Sequence, residues 1–149
     1  MCSSDLAPAR VVFYASDVDA ADEAARAVFA RLGAIEEALS DWMPASEVRQ
    51  LPARAGVMAR CGPDLADAIA RSMRFNRESE GAFDPALGAL TKCWRAARRA
   101  GRVPSDAEAA AARARSGAQH VRFDAEAATY SADIDGLELD FGEIGRAHV

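Results

Sequence analysis

The sequence predicts an α+β fold in which long helices pack on a mostly antiparallel sheet. Two patterns carry that expectation. Apolar residues recur every three or four positions in several segments before residue 100, and three short segments of alternating character follow Gly117. Pro and Gly fall between these stretches and cut them into elements of ordinary length.

Taken in order, residues 10–16 (RVVFYAS) are β-branched and aromatic and read as a strand, after which Asp17 to Asp19 offer N-cap residues. A helix follows over 20–39, with an inward stripe of Ala21, Ala24, Ala25, Val28, Leu32, Ile35 and Leu39. Residues 41–62 contain Pro44, Pro52 and Gly56 and read as an irregular loop with one short strand at 57–59. Loops of that length inside a domain are often functional. Pro63 suits the first position of a second helix, buried through Leu65, Ile69 and Met73, which Gly81 ends. Gly81 to Pro85 forms a turn, because Pro85 pushes Asp84 out of the helical region. A third helix covers 87–100. Ser105 and Glu108 have capping-box spacing and start a surface helix that stops before Gly117. Strands are expected at 119–123, 128–132 and 137–141.

At 149 residues, the chain has room for one ordinary domain or part of a larger one. No apolar run approaches the roughly 20 residues of a membrane span. The net charge of −5 is spread without a basic block, so a nucleic-acid partner is not expected. The 36 alanines and single lysine, Lys92, reflect GC-rich coding more than function.

The two ends differ from the rest. Residues 1–6 and 143–149 read as translated short-read sequencing adapters, which leaves 7–142 as the protein's own sequence. Within that span Cys61, Cys93 and His120 are the only cysteines and histidine. Two thiols so far apart have no metal-ligand spacing and read as inert. His120 stands on an expected strand with no partner evident in the sequence. The carboxylates Asp133, Asp135, Glu138 and Asp140 read as outward residues of alternating strands. There is no CxxC, HExxH, GxSxG or Gly-rich phosphate loop, so these motifs name no catalytic or metal-binding residue.

Three segments remain: Leu39 to Val48 (LSDWMPASEV), Gly81 to Leu90 (GAFDPALGAL) followed by Trp94, and Leu139 to Gly142 (LDFG). In that order and spacing they resemble the FAD:protein FMN transferases, the ApbE family. That family carries an LS-x-aromatic-x-x-x-SE loop, a GAFDPTxGPL-x-x-x-W segment and an LDLGGIAKGYA segment after a meander. The resemblance implies that this chain is the N-terminal part of a flavin transferase domain, truncated before its catalytic and metal-binding half. It further implies FAD as substrate, Mg²⁺ as cofactor, and a protein acceptor whose Ser or Thr receives FMN as AMP leaves. Membrane association would come only through a missing N-terminal anchor, at the periplasmic side of the inner membrane.

The flavin-site residues so implied are Trp42, Ser46, Glu47, Ala82, Phe83 and Asp84. Three of them have a second reading. Trp42 either stacks on the isoalloxazine ring or caps the core, and Glu47 either meets the ligand or holds its loop by accepting backbone N–H bonds. Asp84 either lines the FAD site or stabilises the turn before Pro85. Trp94 reads as core. The family usually has Asn where Pro52 stands, Thr at Ala86 and Pro at Ala89. These departures keep open an alternative, a non-catalytic flavin-binding or structural module on the same scaffold. A helical interaction protein is disfavoured by the strand periodicity of 119–141.

Overall fold

The computed structural model describes residues 11–142; residues 1–10 and 143–149 lie outside the described residues. The chain divides into two units, Met1–Ala34 and Ile35–Val149, with the boundary inside helix α1 (Val18–Leu39).

In the first unit Asp17 accepts a hydrogen bond from the Ala20 amide at 2.9 Å and caps α1. That bond, then one from the Ser16 hydroxyl, holds the Asp17 carboxyl below its usual range. The strand expected at 10–16 does not form: residues 11–15 have no ladder, and Val12 and Tyr14 are exposed. Side-chain propensity favours an extended backbone, but only a hydrogen-bonded neighbour makes it a strand. The inward stripe of α1 is also weaker than its spacing suggests. Leu32 is exposed, and Ala38 is the one buried residue of the helix. Alanines on that stripe favour the helix by propensity while offering little apolar area to bury.

The second unit is built around a three-stranded antiparallel sheet in the order β1-β3-β2. The strands are β1 (Ala59–Arg60), β2 (Val121–Asp124) and β3 (Thr129–Ala132). Phe123 and Ala59 both face Tyr130 across the ladders. The short strand of the long loop therefore lies at 59–60 rather than 57–59. Residues 119–120, expected in a strand, instead belong to a 3₁₀ turn, Ala118–His120, before β2. Three helices complete this unit: α2 (Pro63–Glu78), α3 (Gly88–Arg99) and α4 (Asp106–Arg113). Pro63 stands in the first turn of α2, where its missing N–H costs nothing. The capping box of α4 is present in full, Ser105 accepting from the Glu108 amide and Glu108 from the Ser105 amide.

Leu65 and Ile69 of α2 pack with Val121, Tyr130 and Ala132 of the sheet, with Val48, Cys61 and Ala86 from the loops, and with Leu137, Leu139 and Phe141. Burial raises the Tyr130 phenol to about 12, with a smaller contribution from Cys61. The last three core residues alternate with less buried Glu138 and Asp140, as the sequence predicts. The segment is nevertheless not a meander strand. Its hydrogen bonds go to the α2–α3 loop: the Asp140 amide donates to Pro85 O at 2.8 Å, and the Gly88 amide donates to Glu138 O at 3.1 Å.

Candidate functional site

The loop after α1 is locked from inside. Ser46 is fully buried, its hydroxyl donating to Ser40 O at 2.5 Å, and the Met43 amide donates to the Ser40 hydroxyl at 3.3 Å. The Glu47 amide donates to Glu37 O at 2.9 Å, which fixes the loop to the end of α1. Glu47 Oε1 accepts the Gly62 amide at 2.5 Å, so the carboxylate sits at the N-terminus of α2, where exposed amides favour negative charge. This is the backbone contact that the loop-holding reading of Glu47 expects. Beside it the Cys61 thiol is pushed up to about 11, chiefly by burial and then by the Glu47 charge, which disfavours the thiolate form at neutral pH.

The second segment is ordered in the same way. α2 ends in a left-handed pair, Glu80 at φ 53° and Gly81 at φ 84°, whose amides donate to Arg77 O at 3.2 Å and to Asn76 O at 2.8 Å. Asn76 Nδ2 donates to Phe83 O at 2.7 Å, while the Phe83 ring meets Phe75 edge-on with centroids 6.4 Å apart. Ala82 is exposed. Asp84 uses both oxygens on backbone: Oδ1 accepts from the Ala86 amide at 2.7 Å and Oδ2 from the Ala118 amide at 3.0 Å. The first bond is the Asx turn expected before Pro85; the second ties the turn to the entrance of β2.

Trp42, 46% exposed, lies against α3. The Arg95 guanidinium lies over its ring at 4.6 Å from the centroid, and that of Arg99 at 5.1 Å. Arg95 also forms an ion pair with Asp41 and approaches Asp140 at 3.6 Å. Close by, Glu138 pairs with Arg49 at 3.0 Å and with Lys92. Segments 41–49, 84–88 and 138–140 therefore meet around α3, although as much as 99 residues separate them in sequence. At this crossing a Cβ on Gly88 would lie 2.7 Å from Glu138 O, which explains a glycine there.

The Trp42 loop and Ala82 to Asp84 are joined indirectly, through α3 and the 138–140 segment. A cavity of about 870 Å³ along α3 is lined by Leu87, Leu90, Trp94, Arg95 and Arg98, among others, but by neither Trp42 nor Ala82 to Asp84. Trp94, expected in the core, is 51% exposed on this cavity. Sequence reading missed Arg95, whose partners are remote, and the role of Asp133, whose carboxylate accepts from His120 Nδ1 at 2.7 Å and pairs with Arg122. The alternation of β3 into the following turn was the available signal for Asp133. Among the described residues no group of three or more His, Cys, Asp or Glu could hold a metal ion. No described helix is long and apolar enough to cross a membrane.

No curated protein matches the chain by sequence. Solved structures do. The apo flavinyl transferase ApbE of Pseudomonas stutzeri is 29% identical with a TM-score of 0.75, over 89% of this chain and 43% of that one. A variant of the Vibrio cholerae flavin transferase ApbE is 22% identical, TM-score 0.75, over 86% and 42% of the two chains. The ApbE protein of Thermotoga maritima is 22% identical, TM-score 0.75, over 89% and 43%. At these lower identities the likeness concerns the fold alone. The chain spans less than half the length of the structures it matches. The sequence profile of the ApbE family matches residues 7–149, beginning where the leading adapter-like segment ends and running across the trailing one. With its three motif segments gathered on one helix and its fold shared with these proteins, the chain belongs to the ApbE family.

Proposed function

We propose that residues 7–142 form the N-terminal part of an FAD:protein FMN transferase. FAD is the substrate, and a Ser or Thr hydroxyl of an acceptor protein is the nucleophile. The acceptor oxygen bonds to the FMN phosphorus, the pyrophosphate bond to AMP breaks, and the hydroxyl proton is released. The convergence of the Trp42 loop, the 84–88 turn and the 138–140 segment on α3 supports this reading most directly. The Pseudomonas stutzeri and Vibrio cholerae proteins are flavin transferases, which agrees with it. Mg²⁺ finds no set of ligands among the described residues, so no step here runs through a metal.

This part of the chain contributes binding surface rather than chemistry. Trp42 offers the ring surface that the guanidiniums leave open, and Ala82 and Phe83 present an edge of the α2–α3 loop. Ser46, Glu47 and Asp84 position those segments. Action at the periplasmic side of the cell envelope, with any membrane anchor preceding residue 7, follows from the same resemblance. The test is titration of the 149-residue chain with FAD, followed by incubation with Mg²⁺ and a Ser/Thr acceptor. The chain should bind FAD yet leave no FMN adduct on the acceptor by mass spectrometry. Absence of FAD binding would favour the second reading, a structural module. The observation favouring that reading is that Ser46, Glu47 and Asp84 all direct their polar atoms to backbone.

A further inference from the structure

We infer that Arg95 is a positioning residue that sets the orientation of the Trp42 ring for a flavin. The inference rests on the flavin reading of Trp42 and adds to it a residue that no motif contains. Three contacts converge on one guanidinium: its central carbon lies over the Trp42 ring at 4.6 Å from the centroid, one nitrogen pairs with Asp41, and the other lies 3.6 Å from Asp140. Both acids are largely shielded, with side-chain exposures of 15% and 12%, and Arg95 itself is 25% exposed. A planar guanidinium can stack on a ring through its face while its edge donates to two carboxylates; an ammonium cannot do both. Arg99 also approaches the ring, at 5.1 Å, but no carboxylate anchors it among the described residues. Arg95 is thus the contact whose own position is fixed, and it carries the position of Asp140 to the ring.

The experiment uses the 149-residue chain with Trp94→Phe, so that Trp42 is the only tryptophan, and compares it with Arg95→Lys and Arg99→Lys added. Arg95→Lys keeps a positive charge between Asp41 and Asp140 and so favours folding; urea midpoints are recorded in parallel. Acrylamide quenching of Trp42 should rise about twofold in Arg95→Lys and change little in Arg99→Lys, and the FAD dissociation constant should rise about threefold to fivefold. In a Trp42→Ala background Arg95→Lys should no longer change FAD affinity, because its effect passes through the ring. An unchanged quenching constant, or the same loss of FAD affinity with and without Trp42, overturns the inference. If Trp42→Ala itself leaves FAD affinity unchanged, the flavin reading of Trp42 fails, and the inference fails with it. Loss of affinity in Trp42→Ala but not in Arg95→Lys overturns the inference alone.

Discussion

Replacement of Asp84 gives a decisive measurement, because both of its oxygens are committed to amides that have no other partner nearby. Ala86 is fully buried and Ala118 is 5% exposed, so water does not readily replace the carboxylate. Hydrogen bonds to a charged acceptor contribute about 1.5–3 kcal/mol each. Asp84→Ala, which removes both, should therefore cost about 3–6 kcal/mol. Asp84→Asn keeps one acceptor and turns an NH₂ toward the other amide, and should cost about half as much. Typical domains are stable by about 5–15 kcal/mol, so the alanine variant approaches unfolding while the asparagine variant stays measurable. Urea denaturation followed by circular dichroism reads the difference as a shifted midpoint at unchanged slope. A loss below about 1 kcal/mol in Asp84→Ala would refute the claim that this carboxylate organises the loop. Weakened FAD binding in Asp84→Asn at full stability would instead make it a ligand residue.

Other outcomes can be checked on the same protein. Glu108 is held down at about 2, first by its hydrogen bond with Arg102 and then by those with Ser105. A lowered carboxyl stabilises the fold above its ordinary value of 4.5, and the contribution is lost as pH falls toward 2. The melting temperatures of the parent chain and Glu108→Gln should therefore differ at pH 6 and converge near pH 2; a constant gap would contradict this. Ser72 is fully buried in α2, and its hydroxyl has no hydrogen-bond partner among the described residues. Ser72→Ala should leave the melting temperature unchanged or raise stability by about 1 kcal/mol, and a clear loss would show that the hydroxyl is satisfied. Iodoacetamide at pH 8 should label partly exposed Cys93 before buried Cys61, as followed by peptide mass spectrometry; the reverse order would mean that the Cys61 site opens readily.

Local chemistry was the legible part of this sequence. Pro63, Gly81 and the Ser105–Glu108 pair mark helix ends through interactions within a few residues, and the structure places those ends as expected. What depends on a distant partner was less legible. Residues 11–15 have strand propensity but no ladder, and 137–141 have the burial alternation of a strand while bonding to a loop. The site divides along the same line. The motifs located the segments that meet, and the turn role of Asp84 followed from the adjacent Pro85. The second bond of Asp84, 34 residues away, and the clamp of Arg95 on Asp41, 54 residues away, arise only when the chain folds. No spacing rule encodes them.

The bridge between residues 85–88 and 138–140 has a consequence for how this unit opens. The amides of Gly88 and Asp140 are hydrogen-bonded outside any helix–helix or strand–strand ladder, and those of Ala86 and Ala118 share one carboxylate. Loop amides ordinarily exchange with solvent by small local fluctuations. These four are closed by a common set of contacts, so exposing one requires the two loops to separate together. Their deuterium uptake should be slow and synchronous, marking the crossing as a cooperative foldon assembled from irregular chain.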